Sequence, residues 1–95
     1  DAAAAREAVR PVVGRYLQMT NYRSNLQRLG FTEADFADGG SDALVDALVA
    51  HGRPEVVAAA LAAHLDAGAD HVAVQFLDED ILAAARTLAG AIDLP

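Results

Sequence analysis

The chain has 95 residues, of which 54% are hydrophobic, and a formal net charge of −7. This length limits it to one domain, and its apolar content excludes a disordered chain. Its acidity argues against nucleic acid as a partner, and its lack of cysteine excludes a disulfide framework and a thiol nucleophile.

The first half of the sequence predicts three helices and one helical turn. The first helix covers residues 2–19, with Pro11 as a kink or a restart, and the second covers residues 21–29 and ends at Gly30. Thr32 is expected to cap a single turn that ends near Ala37. Ser41 is expected to cap the next helix, which ends near His51. The side chains expected on the buried faces of these helices are Val9, Val13, Tyr16, Leu17, Tyr22, Leu26, Leu29, Leu44, Val45, Leu48 and Val49.

The second half predicts a helix, a strand and a final helix. Pro54 opens the first of these helices, and Gly68 ends it. The strand covers residues 71–77, and the acidic residues 78–80 end it and cap the last helix. The expected buried stripes are Val57, Leu61, His64 and Leu65 on the first helix, and Ile81, Ala85, Leu88 and Ile92 on the last.

The predicted strand indicates the fold class. Residues 71–77 are apolar on both faces except at His71 and Gln75, which is typical of a strand in a parallel sheet covered by helices. No second convincing strand is present in the sequence, and unpaired buried backbone groups are costly. The sequence therefore predicts either a segment of a larger α/β protein or a strand that pairs with another chain. It does not begin with methionine, and we expect a piece of a longer protein.

Charge is unevenly distributed along the chain. The first 28 residues carry five arginines against two acids, whereas the remainder carries two arginines against 12 acids. We expect the two regions to face each other or different neighbours in a parent protein. The alternative is an anion site that the arginine segment contributes.

Runs of residues along nearly the whole chain, from about Arg6 to Ile92, resemble the late region of the luciferase-like monooxygenase family. These runs are Tyr-Leu at 16–17, Asn-Tyr-Arg-Ser-Asn-Leu at 21–26, Arg-Leu-Gly-Phe at 28–31, Gly-Gly-Ser-Asp at 39–42, Leu-Val-Asp-Ala-Leu-Val at 44–49, Gly-Arg-Pro-Glu at 52–55 and Ala-Gly-Ala-Asp-His-Val-Ala-Val-Gln at 67–75. The subgroup that the chain most resembles uses coenzyme F420, a deazaflavin, and other members use FMN.

The resemblance implies the C-terminal fragment of a TIM-type (β/α)8 barrel, in a single partial domain. Residues 1–52 would be a helical excursion before the last αβ unit, and residues 53–95 would be a helix, the last barrel strand and the C-terminal helix. A complete barrel takes about 250 residues, so the catalytic residues would lie upstream and the fragment alone would be inactive. Its partner would be the remainder of the barrel, with a small organic molecule as the substrate.

The same resemblance places candidate site residues. Barrel active sites lie at the C-terminal ends of the strands, so Gln75 is the candidate cofactor-binding residue. Tyr16 and Tyr22 are candidates for a substrate pocket, although at helical spacing such residues are more often core or interface. The cofactor would be F420 or, alternatively, FMN, held mainly by residues outside this chain, and it would carry the hydride chemistry.

Other patterns predict no chemistry. His51, His64 and His71 do not have the spacing of a metal site, and residues 78–80 are best explained as a helix cap and a solvated turn. The longest apolar run, residues 56–63, is short of the roughly 20 residues that span a bilayer, and no signal peptide is visible. We therefore expect a cytoplasmic location and no membrane partner.

Two other classes of protein remain open from the sequence. One is a small helical interaction module without catalysis, in which the strand pairs across a dimer with a second copy of the chain. The other is the tail of a different (β/α)8 enzyme.

Overall fold

The computed structural model describes residues 1–92, and all of the regular secondary structure in that part of the chain is helical. Residues 71–77, the predicted strand, have no regular secondary structure there. The predicted α/β class, a (β/α)8 barrel fragment, is therefore wrong: the described chain is all-α. The physical reason is that a β-strand needs a ladder partner, and none of the described segments supplies one for residues 71–77.

Six α-helices and one short 3₁₀ turn make up the described chain. They are α1 (Ala2–Tyr16), α2 (Thr20–Arg28), α3 (Glu33–Phe36), the 3₁₀ turn (Ala37–Gly39), α4 (Asp42–Leu48), α5 (Pro54–Asp66) and α6 (Ile81–Ala91). The chain divides into two compact units, a first unit of residues 1–49 and a second unit that begins at Ala50.

Local capping explains where most of the helices begin. The Ser41 hydroxyl accepts a hydrogen bond from the Leu44 backbone N–H at 3.1 Å, and the Asp80 carboxylate accepts one from that of Ala83 at 3.0 Å. Pro54 occupies the first turn of α5, where its missing N–H costs nothing. Thr32 and Asp35 form a reciprocal capping box at the start of α3. These starts agree with the sequence pattern because capping depends on neighbours within one turn.

α1 runs through Pro11 as one helix from Ala2 to Tyr16. Proline lacks the N–H group that would donate to the carbonyl four residues earlier. Because the Pro11 side chain is exposed, the missing hydrogen bond lies on the solvent-facing side of the helix. The opposite face buries Val9 and Val13, and Leu17 follows at the C-cap.

The core of the first unit lies between α1, α3, α4 and the 3₁₀ turn. Leu44 and Val45 on α4 are completely buried. The other buried hydrophobic side chains of this unit are Val9, Val13, Leu17, Leu26 and Phe36. Tyr16, Tyr22, Leu29 and Leu48, which the sequence pattern placed on buried faces, are exposed.

The second unit is built on the packing of α5 against α6. Among its described residues, Leu88 is the single buried hydrophobic side chain. No residue of α5 is fully buried: of the predicted stripe, Val57 and Leu61 are half-buried, whereas His64 and Leu65 are exposed. A two-helix unit has too little surrounding chain to cover both stripes, which explains why periodicity predicted more burial than is present.

Candidate functional site

A cleft of about 350 Å³ opens in the first unit, beside the C-terminal half of α1. Its wall comes from α1, from α2, from Phe36 at the end of α3 and from Gly39 in the 3₁₀ turn. Three of the described residues that line it are arginines (Arg10, Arg15 and Arg23), and none is acidic. The arrangement offers guanidinium groups around a partly apolar hollow.

Glycines allow the loop after α3 to approach α1. Gly40 has a φ of 115°, and a Cβ added there would lie 3.1 Å from Cδ2 of Leu44 and 3.4 Å from Cγ1 of Val13. A Cβ on Gly14 would lie 3.6 Å from the Cα of Gly39. The loop that forms one wall of the cleft therefore packs directly on the backbone of α1.

Arg6 and Arg10 join α1 to α4 along the side of the unit. Arg6 donates two hydrogen bonds to Asp46, at 2.9 Å and 2.8 Å, in the bidentate geometry that favours arginine. The hydrogen-bonded Asp46 carboxylate raises the pKa of the Arg6 guanidinium. These contacts hold in place the helix on which Arg10 and Arg15 lie.

Arg10 is fully engaged within the protein. Its guanidinium pairs with Asp42 and Glu7, and its Nε donates to the Gly40 carbonyl at 3.1 Å. The hydrogen bond to Asp42 is the main cause of the raised pKa of Arg10. Arg10 thus fixes the loop against α1 and forms a wall of the cleft, with little capacity left for a ligand.

Arg23 is held from two sides at another edge of the cleft. Its Nη2 lies 2.7 Å from Oε2 of Glu33, and its guanidinium carbon lies 5.0 Å from the centre of the Phe36 ring, within cation–π range. Arg15, by contrast, is exposed, and its side chain has no hydrogen-bond or ion-pair partner among residues 1–92. The two arginines differ in what they have available for a ligand.

The structure brings the two predicted pocket residues, Tyr16 and Tyr22, into contact with each other. Their ring centres are 4.8 Å apart, and the rings are tilted by 58°. Both side chains are exposed, and neither is among the residues that line the cleft. They form an aromatic pair on the surface, and each is adjacent in sequence to an arginine that lines the cleft, Arg15 or Arg23. Their role in a substrate pocket stays a prediction.

Gln75, the predicted cofactor-binding residue, lies in the segment without regular secondary structure and is exposed. It is therefore not held against a described wall or pocket, and its role stays a prediction. Asp80 caps α6, as expected, while Asp78 and Glu79 are exposed.

The described residues contain no group of three or more histidine, cysteine, aspartate or glutamate side chains that could hold a metal ion. Within residues 1–92, none of the helices has the length and apolar character needed to cross a membrane.

Sequence reasoning identified the arginines of the cleft but not its other walls. Phe36 and Gly39 come from elements at least 13 positions beyond Arg23, and no periodic pattern joins them to α1. The neighbouring glycines at positions 39 and 40 are a signal that could have indicated a close approach of backbones there.

Comparisons of the chain with protein-family models, with curated proteins and with solved structures found no match.

Proposed function

We propose that this chain is the C-terminal part of an F420- or flavin-dependent oxidoreductase of the luciferase-like class. In it, the chain supplies binding surface for the rest of the enzyme and carries none of the catalytic groups. The support is the ordered series of runs, from about Arg6 to Ile92, that resemble the late region of that family. The complete enzyme would transfer hydride between the deazaflavin or flavin and a small organic substrate, with the cofactor supplying that chemistry.

The apolar surface of the second unit is the observation that favours a docking role. Large hydrophobic side chains remain exposed on α5, on α6, at the C-cap of α6 and in the segment between the two helices: Val56, Leu65, Val74, Ile81, Leu82 and Ile92. The described part of this unit buries just one such side chain, Leu88. Single exposed hydrophobic residues are common on protein surfaces. In this unit, however, the exposed hydrophobic side chains outnumber the buried ones, which favours a partner protein that covers them.

Gln75 has a specific place in this proposal. It lies in the open segment beside exposed Val74, and its amide can both donate and accept hydrogen bonds. When the remainder of the enzyme covers this segment, Gln75 would reach the cofactor ring. This role requires that Gln75 be exposed in the 95-residue chain, because residues outside the chain would hold the cofactor ring.

Titration of the full-length protein with F420 and with FMN tests the proposal. The full-length protein should bind F420 or FMN, measured as quenching of the cofactor's fluorescence, and the 95-residue chain alone should show no turnover with either. Gln75→Ala should weaken binding by the full-length protein, whereas Gln27→Ala, on α2 and hydrogen-bonded to Glu33, should not. Binding of neither cofactor by the full-length protein would defeat the proposal.

A second candidate is a helical interaction module without catalysis, whose partner is a second copy of the chain. The same exposed side chains on α5 and α6 favour it. Light scattering coupled to size exclusion distinguishes the two candidates: a dimer that Leu82→Glu dissociates supports the interaction module. A monomer at all accessible concentrations contradicts it.

A further inference from the structure

The cleft beside α1 combines cations, an apolar wall and the absence of a lining carboxylate among the described residues. We propose that it binds a small organic anion through that anion's phosphate or carboxylate group, with Arg15 and Arg23 holding the oxygens. The residues that line this site include neither Gln75 nor any other residue of the second unit, so its test does not depend on the proposed oxidoreductase function.

Arg15 is the residue that most favours an external anion. It lies in the last turn of α1 and lines the cleft, and no described carboxylate pairs with its side chain. Arg6, Arg10 and Arg23, which lie on the same two helices, each have an acidic partner. A guanidinium presents several N–H donors in a planar fork that matches a phosphate or a carboxylate.

Arg23 supplies a second guanidinium whose orientation is already restricted. Its position over Phe36 and its contact with Glu33 both limit the motion of the side chain. The pair with Glu33 is exposed to solvent, so it is weak and an incoming anion can compete with it. Gln18, which also lines the cleft, adds an amide donor for the remaining oxygens.

The dimensions and the apolar wall restrict the class of ligand. A volume of about 350 Å³ lies near the lower end of the roughly 300–1,000 Å³ typical of small-molecule sites. Pro11, which is exposed and lines the cleft, offers apolar surface for a short organic body, while the arginines take the charged end. A small phosphate ester or carboxylic acid fits this description, whereas a nucleic acid is disfavoured by the net charge of −7.

NMR titrations with sodium phosphate and with sodium acetate test the proposal, with backbone amides and arginine side chains as the observed groups. Sodium chloride keeps the ionic strength constant throughout each titration. Saturable shifts confined to Gly14, Gln18, Gly39 and the Nε–H groups of Arg15 and Arg23 are expected. The stronger of the two titrations identifies which oxyanion the site prefers. Shifts that grow linearly with both salts, without saturation, would overturn the proposal.

Two arginine variants separate a site from general charge screening. Arg15→Gln should weaken binding by about two- to fivefold, the range for an exposed charge contact. Arg28→Gln removes the same charge from an equally exposed, unpaired arginine in the last turn of α2, outside the cleft, and should leave affinity unchanged. Equal weakening by both variants would overturn the proposal.

A gain of affinity provides a readout that loss of folding cannot imitate. Glu33→Gln removes the carboxylate that competes for Arg23 while it keeps the size of the side chain. This variant should bind the preferred anion more tightly, by about two- to fivefold. Unchanged or weaker binding would show that Arg23 does not contact the anion.

Discussion

At the scale of single residues, Gly40 links the loop after α3 to the core of the first unit. Its φ of 115° is a conformation that side-chain-bearing residues rarely adopt, and its carbonyl accepts a hydrogen bond from Arg10. A methyl group at this position would lie 3.1 Å from Cδ2 of Leu44, so this completely buried side chain would have to shift. Both the backbone and the packing therefore require glycine here.

Gly40→Ala should reduce the free energy of unfolding by about 1–3 kcal/mol more than Gly30→Ala does, because it adds overpacking to backbone strain. Gly30 has a similar φ of 106° but has nothing within 4 Å of an added Cβ. Urea unfolding followed by tyrosine fluorescence measures the difference, since both tyrosines of the chain, Tyr16 and Tyr22, lie in the first unit. Equal losses would mean that the contact with Leu44 is unimportant.

Asp35 links the N-terminus of α3 to the N-terminus of α4. It accepts hydrogen bonds from the Thr32 backbone N–H at 2.9 Å and from the Ser41 hydroxyl at 2.7 Å. The first of these contacts is the main cause of its lowered pKa, with the Ser41 hydroxyl next. Because the pKa is lower in the folded chain, ionised Asp35 stabilises folding above its unfolded-state pKa, and that contribution disappears as the pH falls through the folded value.

The Asp35→Asn variant should therefore lose less stability than the wild type when the pH falls below about 4, near the unfolded-state pKa of aspartate. The comparison variant is Asp38→Asn, which removes an equal charge at an exposed position with a φ of 55°, a conformation that asparagine tolerates. It shows what the removal of one exposed negative charge by itself does to the pH dependence of stability. Urea midpoints measured across the acid range provide the test, and parallel curves for all three proteins would contradict it.

At the scale of elements, residues 71–77 show how a segment with strand character behaves without a neighbour. None of their backbone groups takes part in a backbone hydrogen bond within the described chain. Valine and phenylalanine in this segment favour a pleated conformation, but that preference reflects packing against neighbouring strands more than an intrinsic property of the backbone. The helices on either side need no such partner, because their hydrogen bonds are local.

Val74→Pro should leave the free energy of unfolding of the isolated chain within about 0.5 kcal/mol of the wild type, as expected for a surface change. Proline removes a donor that has no described backbone partner, and Val74 is 44% exposed. Ala59→Pro, within α5, should cost about 3 kcal/mol and lower the helical circular dichroism. A loss of more than about 1 kcal/mol for Val74→Pro would show that the segment forms a ladder in solution.

At the scale of the whole molecule, burial is concentrated in the first unit. Seven of the eight buried hydrophobic side chains in the described chain belong to residues 1–49. Ion pairs from Arg6 and Arg10 to α4 add further links within that unit. The second unit has a single buried hydrophobic side chain among its described residues, so its helices depend more on local propensity and capping.

Hydrogen–deuterium exchange should therefore show longer protection for the amides of α1 and α4 than for those of α5 and α6. Opening free energies follow the amount of buried apolar contact, and regions with little of it open first. Mass spectrometry of peptides from each unit measures the difference. Equal protection in the two units would contradict this prediction.

The sequence alone determined where α4, α5 and α6 begin and which residues occupy or cap their first turns. Ser41, Pro54 and Asp80 act through neighbours within one turn, so a linear pattern contains the information needed. It also indicated the arginines that line the cleft, because their charge and their concentration in the first 28 residues are visible without coordinates.

Only the tertiary structure decided which apolar faces are covered and whether residues 71–77 form a strand. Periodicity gives the side of a helix that can be buried, but Leu44 is covered and Leu65 is 51% exposed because only the first has enough chain around it. Likewise, Phe36 and Gly39 join Arg15 in one cleft through packing between distant segments. Strand pairing, burial and cleft formation all depend on contacts far apart in sequence, and these are set by how the whole chain folds.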